Sequence, residues 1–174
     1  MKKAIVAITL LLGVITSIRA FYSQNKKEPL KPENIIVMIA DGMGVGQISA
    51  ARFKNNGQLN LDRFNNIGLM SINLNEKPIG NDAINSTAIA CGVITKKNQI
   101  GVNKQGENAT NLFEIAQDKG LKTALISTAS VTDATPASFT THNIDALNQF
   151  ETAKQLCNAN LDMVIGGGSY FFFN

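Results

Sequence analysis

Two apolar segments end near aspartate residues, and the residue types around both aspartates are those that bind cations. Asp41 closes the run NIIVMIAD, and glycines follow it at positions 42, 44 and 46. Asp133 and Thr135 lie in STASVTDATPASF, at the end of the run KTALIST. Because carboxylate and hydroxyl oxygens are ligands that suit magnesium, both segments are candidates for a metal site. The alternative for Asp41 is that its carboxylate only caps the helix that follows.

A glycine-rich turn after a strand is also typical of dinucleotide sites, but this turn lacks the required spacing. The pattern G-x-G-x-x-G fits Gly42 and Gly44, whereas Gln47 occupies the position of the third glycine. A carboxylate at the strand end would also repel a pyrophosphate group. Ligands of open α/β sheets gather at the carboxyl ends of strands, so Asp41 and the Asp133 segment could share one metal there.

Strand-like and helix-like patterns alternate along the chain and would position these residues. Apolar or β-branched runs predict strands over 34–40, 68–74, 122–128 and 162–168, and amphipathic patterns predict helices over 46–54, 82–92, 108–120, 136–142 and 146–159. Asp82 is predicted to cap the second helix, which Gly92 ends, and Pro136 lies in the first turn of the fourth. The alternation predicts an α/β fold with a mainly parallel sheet.

The overall composition indicates a globular domain and argues against a nucleic-acid partner. Of the 174 residues, 44% are hydrophobic and 17% are charged, which suits one domain with a substantial core. Lys2, Lys3 and Arg19 account for the net charge of +3, since the other 13 basic residues equal the 13 acidic residues in number. Without a basic surface, no nucleic-acid partner is predicted.

The first 33 residues are predicted to be a targeting segment followed by a linker. Residues 1–20 place Lys2 and Lys3 before the apolar run AIVAITLLLGVITSI, which is the pattern of a signal peptide, and residues 21–33 are polar and contain prolines. This pattern predicts export, to the periplasm or by secretion. The alternative is an uncleaved segment that anchors the protein to a membrane. Residues 34–174 would then form the domain.

Export to an oxidising compartment would allow a disulfide between the two cysteines, Cys91 and Cys157. Both cysteines lie in apolar helical patterns, where a free cysteine is an ordinary core residue. On balance the sequence favours two free cysteines over a bridge.

Four segments together resemble the alkaline phosphatase family, and they follow the family's order. NIIVMIADGMG resembles the first strand and metal-binding turn, and STAIACGV with NQIGVN resembles the helix that carries the nucleophile and its following loop. KTALISTASVTDATPASFTTH resembles the second metal segment, and LDMVIGGGSYF resembles the next strand. The resemblance implies a three-layer sandwich with a mainly parallel central sheet, incomplete at the C-terminus. Many members of the family are homodimers, which leaves a homodimer open for this chain.

The resemblance implies metal-dependent hydrolysis of phosphate monoesters with two zinc ions and one magnesium ion. In the family, a serine attacks phosphorus and a zinc-activated water then releases phosphate, while the metals offset the charge on the transferring group. On that basis Asp41 would bridge a zinc ion and the magnesium ion, and Asp133 and Thr135 would bind magnesium. His142 would support the metal site or the fold without contacting a metal.

Three departures from the family pattern concern catalysis. Asp82 stands where the family has its serine nucleophile, and Ala146 or Leu147 stands where the family has an arginine that clamps phosphate. His142 is the single histidine, whereas the family takes several zinc ligands from a region beyond residue 174, so the zinc site in this chain is incomplete. Asp82 would act as a nucleophile, block the phosphate position or only cap its helix.

The sequence therefore leaves two hypotheses of different classes. In the first, the chain is the N-terminal portion of an alkaline phosphatase-like enzyme. In the second, it is a non-catalytic or truncated relative that at most binds a divalent metal. The motifs favour the first hypothesis for family membership, and the departures at Asp82 and Ala146 favour the second for activity.

Overall fold

The computed structural model describes Gly13, residues 32–71 and residues 80–173. The chain divides into two compact units, Met1–Asn65 and Asn66–Asn174. Apart from Gly13, the predicted signal peptide lies outside the described residues, and so does the predicted linker as far as residue 31. Within the described ranges, no helix combines the length and the apolar character needed to cross a membrane.

The unit Met1–Asn65 contains the helix α1 (Val45–Lys54) and a 3-10 helix (Asn60–Arg63). The helix α1 matches the predicted helix over 46–54. Gly44 is its N-terminal cap residue, and the Gly44 N–H donates to Gln47 Oε1 at 3.0 Å. The guanidinium of Arg52 forms an ion pair with Asp62 and thereby holds the pKa of that exposed carboxyl below its usual range. The pair ties the end of α1 to the 3-10 helix.

The prediction of a buried strand over 34–40 is wrong in this structure. These residues belong to no strand, and the side chains of Ile36 and Met38 are 83% and 87% exposed. An apolar run is buried on both faces only where strands pair on either side of it. The paired strands of the described residues lie elsewhere, in the second unit. Of the predicted strand over 68–74, residues 68–71 form no strand and the rest lie outside the described residues.

The unit Asn66–Asn174 is built on the parallel pair β1 (Ala124–Ser130) and β2 (Met163–Gly167). The register aligns Leu125 with Val164 and then shifts before Ser130 pairs with Gly167. The predicted α/β class and parallel strand pairing are confirmed, and the sheet formed by the described residues is a partial one.

Asp162 fixes the start of the strand pair. Its Oδ2 accepts the Thr123 N–H at 2.8 Å, and its own N–H donates to the Thr123 carbonyl oxygen at 3.0 Å. Lys122 Nζ donates to Asp162 Oδ1 at 2.6 Å, and this hydrogen bond, with that from Thr123, keeps the pKa of Asp162 below its ordinary value. These contacts hold the first residues of β1 and β2 level with each other.

The helices of this unit are α2 (Asp82–Cys91), α3 (Leu112–Asp118), α4 (Ala134–Ala137) and α5 (Gln149–Cys157). Three of them agree with the predicted segments but are shorter, whereas α4 begins two residues before the helix predicted over 136–142 and ends at Ala137, so most of that prediction is wrong. One cap differs from the prediction: Asn81 caps α2, because its Oδ1 accepts the Ile84 N–H at 3.1 Å, while Asp82 is the first helical residue. Gly92 ends α2 with a φ of 69°, as predicted. A 3-10 helix spans Ser169–Phe172.

Buried apolar side chains form two separate clusters in this unit. The first lies between α2, α4 and the chain near residue 100, and it consists mostly of alanines: Ala83, Ile100, Ala137 and Ala146. The second lies beside β1 and combines larger side chains: Leu125, Val131 and Leu156, packed against Phe113, Leu161 and Phe172. Because the first cluster is made of small side chains, α2 and α4 can approach each other closely.

Gly101 lies at the tightest point beside the first cluster. Its N–H donates to Thr87 Oγ1 at 3.1 Å, and its φ is +63°. A Cβ at this position would overlap the Thr141 carbonyl oxygen and would lie 2.9 Å from His142 Nδ1. The clash is with backbone, which cannot rotate away, so only glycine fits.

We expect Gly101→Ala to lower the free energy of unfolding by about 3 kcal/mol or more, since positive-φ strain and a backbone clash act together. Gly106→Ala is the matched control, because Gly106 also has a positive φ of 86° but its added Cβ would lie 3.7 Å from Ile144 Cγ2, an ordinary contact. The control should lose about 1–2 kcal/mol. Urea unfolding measures both variants, and equal losses would contradict the clash at Gly101.

Both cysteines are free, which confirms the favoured interpretation of the sequence. Cys91 is half-buried in α2, whereas Cys157 is exposed at the end of α5, so the prediction that both are core residues is wrong for Cys157. Burial raises the pKa of the Cys91 thiol to about 11, and the negative charge of Glu114 adds to the shift. Cys91 is therefore the less reactive thiol.

At pH 8 we expect a thiol-specific disulfide reagent to modify Cys157 about tenfold or more faster than Cys91, because the thiolate is the reacting form and burial disfavours it at Cys91. The reaction should show one fast and one slow phase. Cys157→Ser should remove the fast phase and Cys91→Ser the slow one. Two thiols that react at one common rate would show that Cys91 is not shielded.

Candidate functional site

Asp133 and Thr135 lie at the start of α4, just past the end of β1. This is the position that the sequence predicted for them. Asp133 is the N-terminal cap residue of α4, yet its side chain makes no capping hydrogen bond. Its Oδ1 instead accepts a hydrogen bond from Gln149 Nε2 at 3.5 Å. Both Asp133 and Thr135 are half-buried. The Asp133 carboxylate therefore does not cap the helix that it precedes.

Ser86 brings the first turns of α2 and α4 together. Its buried hydroxyl oxygen lies 2.6 Å from the Asp82 carbonyl oxygen and 3.2 Å from the Ala134 carbonyl oxygen. It also lies 2.7 Å from Ser138 Oγ, which in turn lies 2.7 Å from the Ala134 carbonyl oxygen. The Asp82 carbonyl oxygen thus lies against the Ser86 hydroxyl, and the Ala134 carbonyl oxygen lies against the hydroxyls of both Ser86 and Ser138. This contact relates Asp82, at the start of α2, to the Asp133 segment.

Asp82 is exposed as the first residue of α2. Because Asn81 caps the helix, the alternative that Asp82 serves only as the N-terminal cap is wrong. Asn81 is itself held by Asn98, since Asn81 Nδ2 donates to Asn98 Oδ1 at 3.2 Å. The Asp82 carboxylate therefore stands at a fixed helix start with solvent access.

His142 joins three segments through hydrogen-bonding contacts. Its Nδ1 lies 2.6 Å from the Gly101 carbonyl oxygen, and its Nε2 lies 2.9 Å from Glu114 Oε1. The His142 backbone N–H donates to Gln155 Oε1 at 2.9 Å. Both ring nitrogens thus face oxygen atoms of the protein. A supporting role for His142 at a metal site stays a prediction.

The positions at which the resemblance expects an arginine differ in their surroundings. Ala146 is buried in the first core cluster, and its N–H donates to the Asn98 carbonyl oxygen at 2.7 Å. Leu147 is exposed. Neither side chain can donate a hydrogen bond to phosphate, and the space around Ala146 is filled by packed alanines and Ile100.

Asp41 belongs to the other unit, Met1–Asn65. It is exposed and lies in a turn that precedes α1. The alternative that Asp41 caps this helix is wrong, because Gly44 is the cap residue and Gln47 Oε1 accepts its N–H.

The donor atoms at α4 fit a magnesium ion better than a zinc ion. A carboxylate and a hydroxyl, both half-buried, offer the oxygen ligands that magnesium prefers. Zinc sites are typically built from histidine nitrogen, cysteine sulfur and carboxylate groups. In the part of the chain that the structure describes, no three or more such residues are grouped closely enough to hold a metal ion. Asp133 and Thr135 therefore provide ligands that suit magnesium, and the described residues do not form a zinc site.

Sequence reasoning missed the polar residues that hold the site in place. Thr132, Ser138 and Gln149 all contact the segments around Asp133, yet none of them stands out in the sequence. Gln149 is 16 residues from Asp133, so no local pattern links them. The signal for Ser138 was its place in the DATPASF motif, four residues after the first residue of α4.

Comparison with known proteins identifies one family. The family model described as "Alkaline phosphatase" matches residues 32–174. Alkaline phosphatase 4 of Bacillus subtilis is 34% identical over 166 residues, which cover 86% of this chain and 36% of that protein. The chain therefore spans a little over one third of the length of this curated relative.

Solved structures give the same family. The alkaline phosphatase from the Antarctic bacterium TAB5 superimposes with a TM-score of 0.72 at 34% identity, covering 76% of this chain and 38% of that one. A variant of the TAB5 enzyme, with a histidine replaced by aspartate and magnesium bound, gives a TM-score of 0.72 at 35% identity, covering 76% of this chain and 38% of that one.

Proposed function

The chain belongs to the alkaline phosphatase family, and on that premise we propose that it supplies the magnesium-binding part of a metal-dependent phosphomonoesterase. One observation carries the proposal. The Asp133 carboxylate occupies a cap position without making a capping hydrogen bond, beside the hydroxyl-bearing Thr135. The TAB5 variant in which a histidine is replaced by aspartate holds bound magnesium, which supports a magnesium site in this family.

Asp133 and Thr135 would hold the magnesium ion with their side-chain oxygens, and water molecules would complete its shell. Bound there, magnesium would offset negative charge on a phosphoryl group. In this proposal, Asp133 and Thr135 bind the magnesium ion and hold it in position. The hydroxyl contacts of Ser86 and Ser138 keep the start of α4 against α2, so the oxygens of Asp133 stay at a fixed place relative to Asp82.

The substrate class is proposed on the same premise: small phosphate monoesters. The bridging role of Asp41 between zinc and magnesium is also part of the proposal and rests on the DGMG motif alone. Lys2 and Lys3 before the apolar run over 4–18 support the proposal that the protein acts outside the cytoplasm.

A second candidate function, binding a divalent metal without hydrolysis, is favoured by what stands at two positions. Asp82 offers a negative carboxylate where the family has a serine, and Ala146 is buried where the family has an arginine. A carboxylate repels an incoming phosphate dianion, and a missing guanidinium removes a bidentate grip on it. Asp82 would then block the phosphate position, and its action as a nucleophile is the alternative.

We expect Asp133→Asn to weaken magnesium binding to the 174-residue chain by at least about tenfold, because a neutral amide is a poorer ligand for a hard cation. Titration calorimetry with magnesium chloride is the measurement. Asp118→Asn makes the same chemical change at an exposed carboxylate in α3 and should leave the affinity unchanged. Equal binding by wild type and Asp133→Asn would remove Asp133 from the site.

With zinc and magnesium present, we expect the wild-type chain to show no turnover of an aryl phosphate above a metal-free control. Asp82→Ser should raise its affinity for inorganic phosphate, because the change removes a like charge from the phosphate position. Asp82→Asn removes the same charge without supplying a hydroxyl, so it should raise the phosphate affinity in the same way. Turnover by the wild type that falls in Asp82→Ser would show instead that Asp82 is the working nucleophile.

A further inference from the structure

A chain of hydrogen-bonding contacts runs from the end of β1 to the Asp133 carboxylate. Ser130 Oγ lies 2.6 Å from Thr132 Oγ1, and the Thr132 hydroxyl donates to Gln149 Oε1 at 2.7 Å. Gln149 Nε2 then donates to Asp133 Oδ1 at 3.5 Å. Four polar side chains from the end of β1, the following turn and the start of α5 are thus connected in sequence.

The donors and acceptors along this chain fix which way the Gln149 amide faces. An ionised carboxylate only accepts hydrogen bonds, so it requires the NH2 group of Gln149 on its side. The opposite orientation would place the amide oxygen against the Asp133 carboxylate, with two acceptors facing each other. With the NH2 group facing Asp133, the amide oxygen faces Thr132 and accepts a hydrogen bond from its hydroxyl. This hydrogen bond uses the only hydrogen that the hydroxyl can donate. Thr132 Oγ1 is then left to accept from Ser130.

The residues that hold Gln149 are themselves well anchored. Thr132 is completely buried, and its N–H donates to Ser130 Oγ at 3.3 Å. Gln149 is the first residue of α5, which Asn148 caps by accepting the Glu151 N–H at 3.2 Å. The amide of Gln149 therefore reaches Asp133 from a fixed helix start rather than from a loop.

We propose that Gln149 is a positioning residue for magnesium, which holds the Asp133 carboxylate in place while Thr132 sets the orientation of the Gln149 amide. The inference rests on the proposed magnesium site at Asp133. A neutral amide suits this role, because it orients the carboxylate without cancelling the charge that attracts the cation. A single hydrogen bond from Gln149 uses one of the roughly four acceptor positions of an ionised carboxylate, so Asp133 can still bind a metal.

Magnesium titrations of purified variants test the proposal. Gln149→Met keeps the length of the side chain but removes both hydrogen bonds, and it should weaken magnesium binding by about tenfold. Gln117→Met is the matched control, since Gln117 is also half-buried and its Nε2 donates to the Ala159 carbonyl oxygen and Thr123 Oγ1. The control should leave the magnesium affinity unchanged, whatever it does to the melting temperature.

Thr132 provides a second, independent pair of variants. Thr132→Val removes the hydroxyl at nearly constant shape and should weaken magnesium binding, whereas Thr132→Ser keeps the hydroxyl and should retain wild-type affinity. A merely structural role would lower the melting temperature of Thr132→Val without changing the affinity of the folded protein. Unchanged affinity in Gln149→Met would overturn the positioning role, and unchanged affinity in Thr132→Val would overturn the part assigned to Thr132.

A spectroscopic readout separates this proposal from the magnesium site itself. In an isotope-labelled chain without metal, the Gln149 side-chain amide signal should move in Asp133→Asn, while the Gln117 signal should stay. Magnesium should move the Gln149 signal of the wild type in the same selective way. If Asp133→Asn binds magnesium like the wild type, the proposed site is wrong. If Asp133→Asn loses binding while Gln149→Met keeps it, only the positioning role is overturned.

Discussion

The contact between two buried hydroxyl groups, Ser86 and Ser138, is the interaction on which the candidate site depends. Their oxygens lie 2.7 Å apart between α2 and α4, and each also reaches a carbonyl oxygen at a helix start. Each hydroxyl also reaches the carbonyl oxygen four residues earlier in its own segment, so sliding one helix past the other would break the contact between the two hydroxyls, which is worth about 0.5–1.5 kcal/mol. The relative position of the two helix starts, and with it that of Asp82 and the Asp133 segment, follows from this contact.

The close approach of α2 and α4 also explains why an arginine side chain would not fit at Ala146. Serine hydroxyls can meet across two helices only where the neighbouring side chains are small, and Ala83 and Ala137 supply that condition. Ala146 packs into the same cluster with Ile100. A guanidinium stem at this position would have to displace several packed side chains, and overpacking of this kind typically costs about 1–3 kcal/mol. The packing that fixes the helix starts therefore also closes Ala146, one of the two positions expected for a phosphate clamp, whereas the other, Leu147, is exposed.

The sequence predicted α2, α3, α5 and the parallel pairing of β1 and β2, because their apolar patterns and stop signals are local. Gly92 shows this well, since a glycine after an apolar helical pattern marks the helix end wherever the helix packs. The strand predicted over 34–40 failed for the opposite reason. A β-strand forms only where it pairs with a neighbouring strand. An apolar run shows that a segment can be buried, but it does not show which segment would pair with it. Asp82 was misassigned as a cap because Asn81, one residue earlier, is an equally good cap residue.

In the candidate site, too, some residues can be recognised from a local sequence pattern, and others depend on contacts between distant segments. Asp133 and Thr135 are candidates that the sequence suggests by itself, because a carboxylate and a hydroxyl just past an apolar strand pattern suit a cation. The groups that orient them are neutral, and serine, threonine and glutamine have many ordinary uses in turns and helix starts. Thr132 and Gln149 acquire meaning only once folding brings the start of α5 to the end of β1. A charged side chain marks the candidate ligand in the sequence, but the tertiary contacts determine where its oxygen atoms lie.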